Sequence, residues 1–175
     1  MDKSTLDWVL NKHFKYDRLF GESTIKKYFV KYYVNNQDGS KFDFIWSFYQ
    51  YQIIKTTETT SNIYLLNDIL SKIYFQMVQF RRKYDNELAN DLMQLSLDCS
   101  VKSYMPVDGF KMEISIISNA CDCDYCESMN GKKFDGNDML INKRYRAEKC
   151  TSSKGCRTIY SQVPARDKKG KLNRI

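Results

Sequence analysis

The stretch FKMEISIISNACDCDYCESMNGKKF, residues 110–134, decides how the fold is read. In its first half Phe110, Met112, Ile114 and Ile116 alternate with Lys111, Glu113 and Ser115, the period of two that marks a half-buried strand. Its second half holds three of the chain's six cysteines, Cys121, Cys123 and Cys126. Asn130-Gly131 then supplies a tight turn of the hairpin kind. A second short strand, RTIYSQV, follows Cys156. A few strands and two cysteine-bearing turns, with little core of their own, predict a small β module over residues 106–164. Phe110, Met112, Ile114, Ile116, Phe134, Ile159 and Val163 supply its apolar side chains.

Upstream of Pro106 and the Asp108-Gly109 turn signal, the period changes to that of helices. Ser4 is placed to cap a helix carrying Leu6, Val9, Leu10 and Phe14, and a second helix from Ser23 or Thr24 presents Ile25, Phe29 and Tyr32 until NNQDGS ends it. In KFDFIWSFYQYQII, residues 41–54, the aromatics alternate as in a strand yet also fit a helix face. Ser40 with Asp43 three residues later is a capping box and favours the helix, which KTTETTSN should break. Ile63, Leu66, Leu70, Ile73, Met77, Phe80 and Tyr84 follow at spacings of three and four, the seam of a helix packed on a helix, and Leu88, Leu92, Leu95 and Cys99 continue it. The expected fold class is therefore α+β: a domain of antiparallel helices over residues 1–105, the cysteine-rich β module over 106–164, and a basic tail over 165–175.

Composition sets bounds on function. The 175 residues are 42% hydrophobic, with 13 Tyr and 10 Phe but only 7 Gly and 2 Pro, which gives a real core and argues against a disordered linker. No window approaches a membrane span and the first residues carry charges where a signal h-region would sit, so a soluble, cytoplasmic protein is expected. The net charge of +7 is uneven. Residues 143–175 hold eleven Lys and Arg against two acids, and the remainder is slightly acidic. Such a cationic end suits a nucleic acid or an acidic protein face.

The cysteines carry the chemistry. Cys123-x2-Cys126 offers two thiolates from one turn and Cys150-x5-Cys156 returns with two more, so Cys123, Cys126, Cys150 and Cys156 form a candidate closed tetrahedral site for one structural zinc ion, with Cys121 as alternate ligand. A disulfide framework does not suit a chain without an export signal. A thioredoxin-like redox pair needs a strand-to-helix junction, whereas ESMNGKKF after Cys126 reads as a turn. A single histidine, His13, excludes centres built from several imidazoles and reads as a side chain at the rim of the core. Neither a Gly-rich phosphate loop nor a Ser-His-Asp order is present, so no enzyme activity is expected.

From Cys123 to Lys132, and again at Cys156-Arg157, the chain resembles the C-terminal cysteine motif of phage head-morphogenesis proteins, the Mu F-like minor capsid family. There a Cys-x-x-Cys-x-x-(apolar)-x-Gly-Lys segment precedes a Cys-Arg-Cys ending. Cys123, Cys126, Met129, Gly131 and Lys132 match the first part, while Thr158 stands where the final cysteine would be. The resemblance implies a non-enzymatic interaction protein linked to phage-head assembly, with a protein partner. The alternative is a nucleic-acid binder that presents Lys143, Arg144, Arg146, Lys149, Lys154 and Arg157 on the cysteine module, with Tyr145 or Tyr160 to stack on bases. A thiol redox protein is the second alternative.

Overall fold

Ser40 and Asp43 settle the ambiguous aromatic stretch. The Asp43 amide donates to the Ser40 hydroxyl at 3.1 Å, and the Ser40 hydroxyl and amide return to the Asp43 carboxylate at 2.7 and 3.2 Å. This reciprocal cap satisfies donors that the first turn leaves over, and the helix it opens runs over Lys41–Thr59. The computed structural model describes residues 3–15, 18–118 and 122–174. It divides the chain into two units, Met1–Thr59 and Thr60–Ile175.

The first unit is helical. Helix α1 (Lys3–Trp8) continues through one wide turn, Val9–His13, and is followed by α2 (Glu22–Asn35) and α3 (Lys41–Thr59). Its core is aromatic: Phe14, Phe29, Phe44, Phe48 and Tyr49 are buried with Val9, Ile25 and Ile45. The rings meet edge to face, Phe29 on Phe44 at 5.1 Å and Phe14 on Phe48 at 5.4 Å. His13 lies at the rim, its Nε2 2.8 Å from the Tyr49 hydroxyl. The polar run KTTETTSN ends α3 as expected, though only after its first five residues have continued the helix to Thr59. Thr57 and Thr59 donate their hydroxyls to the carbonyls of Ile53 and Lys55, one turn back, and remain within the helix.

The second unit begins where Asn62 caps α4 (Ile63–Phe80), its side chain accepting from the amides of Tyr64 and Leu65. A wide turn over Arg81–Asp85 leads to α5 (Asn90–Ser103). The two helices are joined by Ser71 and Ser96, each donating its hydroxyl to the other's carbonyl at 2.9 and 2.8 Å. The α4 seam buries Ile73, Met77 and Phe80 but leaves Ile63 exposed. On α5 the expected stripe holds in part, with Cys99 buried and Leu92 packed against the core. Leu88 and Leu95 are exposed, and Met93, Ser96, Leu97 and Val101 are buried beside Cys99. Left-handed backbone at Asn86 and Ala89 delays the start of the helix to Asn90, and Leu88 is left outside it.

Strand β1 (Met112–Ser118) is the middle strand of a three-stranded antiparallel sheet, between β2 (Lys133–Phe134) and β3 (Thr158–Pro164). Ile114 pairs with Phe134 on one side and Gln162 on the other. Helices α6 (Asp124–Met129) and α7 (Gly136–Ile141) and a single 3-10 turn at Ala147–Lys149 complete the unit. Asn130-Gly131 forms the central pair of a type II turn, with Asn130 at φ −59° and Gly131 at φ 76°; it joins α6 to β2 rather than strand to strand. On β3 the inward side chains are Thr158 and Tyr160, and Ile159 is exposed.

The boundary expected near Pro106 falls inside this unit. Val78, Met93, Leu97 and Val101 of the helices share one core with Ile114, Ile116, Tyr145, Tyr160 and the cysteines. A sheet with so few strands has too little apolar face to bury by itself, and α4 and α5 supply the rest. Residues 165–174 are not a free basic tail. Ala165 is buried, its amide donates to the Lys111 carbonyl at 2.8 Å, and Arg166 bridges Leu172 across a turn. The architecture is α+β, as expected. Among the described residues no helix is long and apolar enough to cross a membrane.

Candidate metal centre

Strand β1 delivers the chain to the first cysteine pair. Cys123 occupies the position before α6 in extended backbone, and Cys126 sits in the first turn of that helix, so ESMNGKKF does not open with a turn as expected. The Cys-x2-Cys pair therefore lies at the start of a short helix, Cys123 just before it and Cys126 within it. Cys150 arrives from the other side, at the end of the 3-10 turn, its amide closing onto the Ala147 carbonyl at 3.0 Å.

The sulfurs of Cys123, Cys126 and Cys150 all lie within 4.8 Å of one another, and all three residues are buried. Tetrahedral zinc with Zn–S bonds of about 2.3 Å places its sulfurs roughly 3.8 Å apart, so the three donors fit such an ion after small side-chain movements. Cys156 is not in this group. Its sulfur contacts the Tyr145 hydroxyl at 3.0 Å, and Cys126 contacts the same hydroxyl at 3.1 Å. The two sulfurs are thus no further apart than those two contacts laid end to end. Cys121, the alternate ligand, lies outside the described residues. Cys99 is elsewhere on α5, where burial pushes its thiol up as expected of a small apolar side chain.

Electrostatics favour a thiolate at Cys123. Burial opposes its charge, but the Thr151 side chain and amide and the Cys126 amide outweigh that and lower the thiol to about 6. The Thr151 amide lies 3.3 Å from the sulfur. Beside the site the Ser152 hydroxyl donates to Asp122, which together with Lys154 and Arg157 holds that exposed carboxyl below its usual range.

Tyr145 is the centre of the polar cluster. Only 1% exposed, it stacks on Tyr125 at 5.4 Å, and its hydroxyl also meets the Thr158 hydroxyl at 2.7 Å. Burial and the two cysteines keep the phenol protonated far above its ordinary pKa. Neither Tyr145 nor Tyr160 is therefore available for stacking on a base, contrary to expectation. Both are buried in one core with Met93, Leu97 and Val101 of α5.

Of the six expected nucleic-acid residues, two arginines are paired with acids at the surface. Arg144 pairs with Asp138 at 2.7 Å and Arg146 with Glu148 at 2.9 Å, while Lys149 lies over the Tyr125 ring. Lys143, Lys154 and Arg157 are exposed. Arg82, Asn90 and Gln94, whose side chains hydrogen-bond the main chain of Cys156, of Cys150 and Cys156, and of Ala147, carry nothing in their local sequence that marks them. No protein-family model, curated protein or solved structure matches the chain.

Proposed function

We propose that the second unit is a zinc-stabilised interaction module without catalytic activity, in which Cys123, Cys126 and Cys150 bind one ion and Cys156 turns from Tyr145 to become the fourth ligand. The observation that carries this reading is the convergence of three buried cysteine sulfurs within 4.8 Å, brought from two separate segments of the chain. Four thiolates close the coordination sphere, which is the arrangement of zinc in a structural rather than a catalytic role. The resemblance of the cysteine motif to Mu F-like minor capsid proteins supports an assembly role with a protein partner.

Elemental analysis of protein purified without added metal tests the site. About one zinc per chain is expected, falling to none in Cys126→Ser. Zero zinc together with freely titratable thiols in the folded protein overturns it.

A redox reading has its own support in the placement of Cys123-x2-Cys126 at the start of α6 and the lowered Cys123 thiol. A Cys123–Cys126 disulfide found by mass spectrometry in freshly purified, zinc-free protein would favour it over the metal. Binding of generic DNA or RNA at two salt concentrations addresses the nucleic-acid alternative. With Arg144 and Arg146 engaged by acids, the expected result is weak binding that disappears at the higher salt.

A further inference from the structure

The second cysteine pair is not held by its own loop. Asn90, the first residue of α5, donates its side-chain amide to the Cys150 carbonyl at 3.2 Å and accepts the Cys156 amide on its side-chain oxygen at 3.0 Å. One side chain thus fastens the two ends of the Cys150–Cys156 loop. One helical turn further on, Gln94 accepts the Ala147 amide at 2.7 Å, at the start of the 3-10 turn that leads to Cys150. The spacing of four puts Asn90 and Gln94 on one face of α5. Arg82 completes the hold, donating to the Cys156 carbonyl at 2.9 Å and to the Leu88 carbonyl at 2.9 Å.

We infer that Asn90 is the positioning residue of the metal centre: through the main chain of Cys150 and Cys156 it sets the geometry of the second ligand pair, without touching the ion. This rests on the zinc reading above. Metal affinity depends on how closely the free protein already holds its ligands in place, because a loop that must be ordered on binding spends part of the binding free energy on that ordering. Partners outside the ligand set that fix ligand orientation commonly change affinity by about 10- to 100-fold. Asn90 makes two such contacts from a rigid element.

Titration of the full chain with cobalt(II), and with zinc against a chromophoric chelator, tests the inference. Wild-type protein should bind one ion and show thiolate charge-transfer and tetrahedral d–d bands with cobalt. Asn90→Ala should bind about tenfold or more weakly and shift the d–d envelope. Asn90→Ser, too short to reach both main-chain groups yet well suited to the start of a helix, should do the same and covers the case in which the alanine variant folds poorly. Ser71→Ala removes an α4–α5 hydrogen bond away from the site and should leave affinity and spectrum unchanged. A wild-type protein that binds neither metal defeats the zinc reading. A wild-type protein that binds, beside an Asn90→Ser that binds with equal affinity and an identical spectrum, defeats only the role of Asn90. Equal losses in Ser71→Ala and Asn90→Ser would reduce Asn90 to a general stabilising residue and also overturn the inference.

Discussion

The hydroxyl of Tyr145 meets Cys126, Cys156 and Thr158 in a site with almost no solvent access. Tyr145→Phe would keep the ring packing and leave the Thr158 hydroxyl short of its nearest partner, a loss of about 1–3 kcal/mol measurable by denaturant unfolding. Gly155 is the second sensitive position. It adopts φ 74°, and a Cβ there would come within 2.6 Å of the Arg82 guanidinium that holds the Cys156 carbonyl. Gly155→Ala should cost about 1–2 kcal/mol for the left-handed backbone alone, and should weaken metal binding as Arg82 is displaced. Cys123 gives the pH dependence. Its folded thiol is lowered from 9.0 to about 6, so its contribution to stability is complete above pH 9 and is lost as pH falls through 6. Metal-free protein should gain stability between pH 6 and 9, and Cys123→Ser should flatten that rise in unfolding curves taken across the range. With zinc present, protons compete for the same sulfur, and affinity should drop on going from pH 7 to pH 5.

Elements divide into those that local chemistry specifies and those that packing specifies. Helix α3 belongs to the first kind: Ser40 and Asp43 stand in the sequence at the spacing of a capping box, and their mutual bonds decided a stretch whose aromatics fit either period. Ser40→Ala should lower the stability of the first unit by about 1 kcal/mol, read as an earlier transition by circular dichroism or by fluorescence of Trp8 and Trp46. Strand β1 was equally legible, because alternation over Met112–Ser118 has one reading. The α5 face was only partly so. Its phase is set by left-handed residues at Asn86 and Ala89, and alanine gives no sequence signal for that conformation. The candidate site was legible in part. Cys123 and Cys126 are neighbours along the chain and advertise their pairing, and Cys150 joined them as expected. Cys156 lies against Tyr145 rather than among the three sulfurs, a placement that spacing does not encode. Asn90 and Gln94, polar residues on a helix that otherwise reads as a packing surface, carried no mark at all.

At the scale of the molecule, the shared core changes what metal removal should do. A cysteine module folded by zinc alone would lose its strands when the ion is taken away. Here β1 and β3 lie on a core with Met93, Leu97 and Val101 of α5, and Tyr104 donates its hydroxyl to the Tyr160 carbonyl at 2.8 Å. A strong chelator should therefore leave amide protection in Met112–Ser118 and Thr158–Pro164 largely intact and release protection mainly around residues 122–129 and 147–157. Hydrogen exchange before and after chelation measures this, and loss across both strands would show that the ion, not the helices, holds the sheet. The clasp of Asn90 on Cys156 spans 66 residues of chain. A ribosome delivering about 5–20 residues each second finishes α4 and α5 several seconds before the partner loop exists. The helices then wait with one face uncovered, and the last cysteine pair docks onto a surface made long before it. Long-range closure of this kind is slow in folding. On the zinc reading, a chain that stops short of Cys150 has the first thiolate pair but nothing for α5 to hold against it.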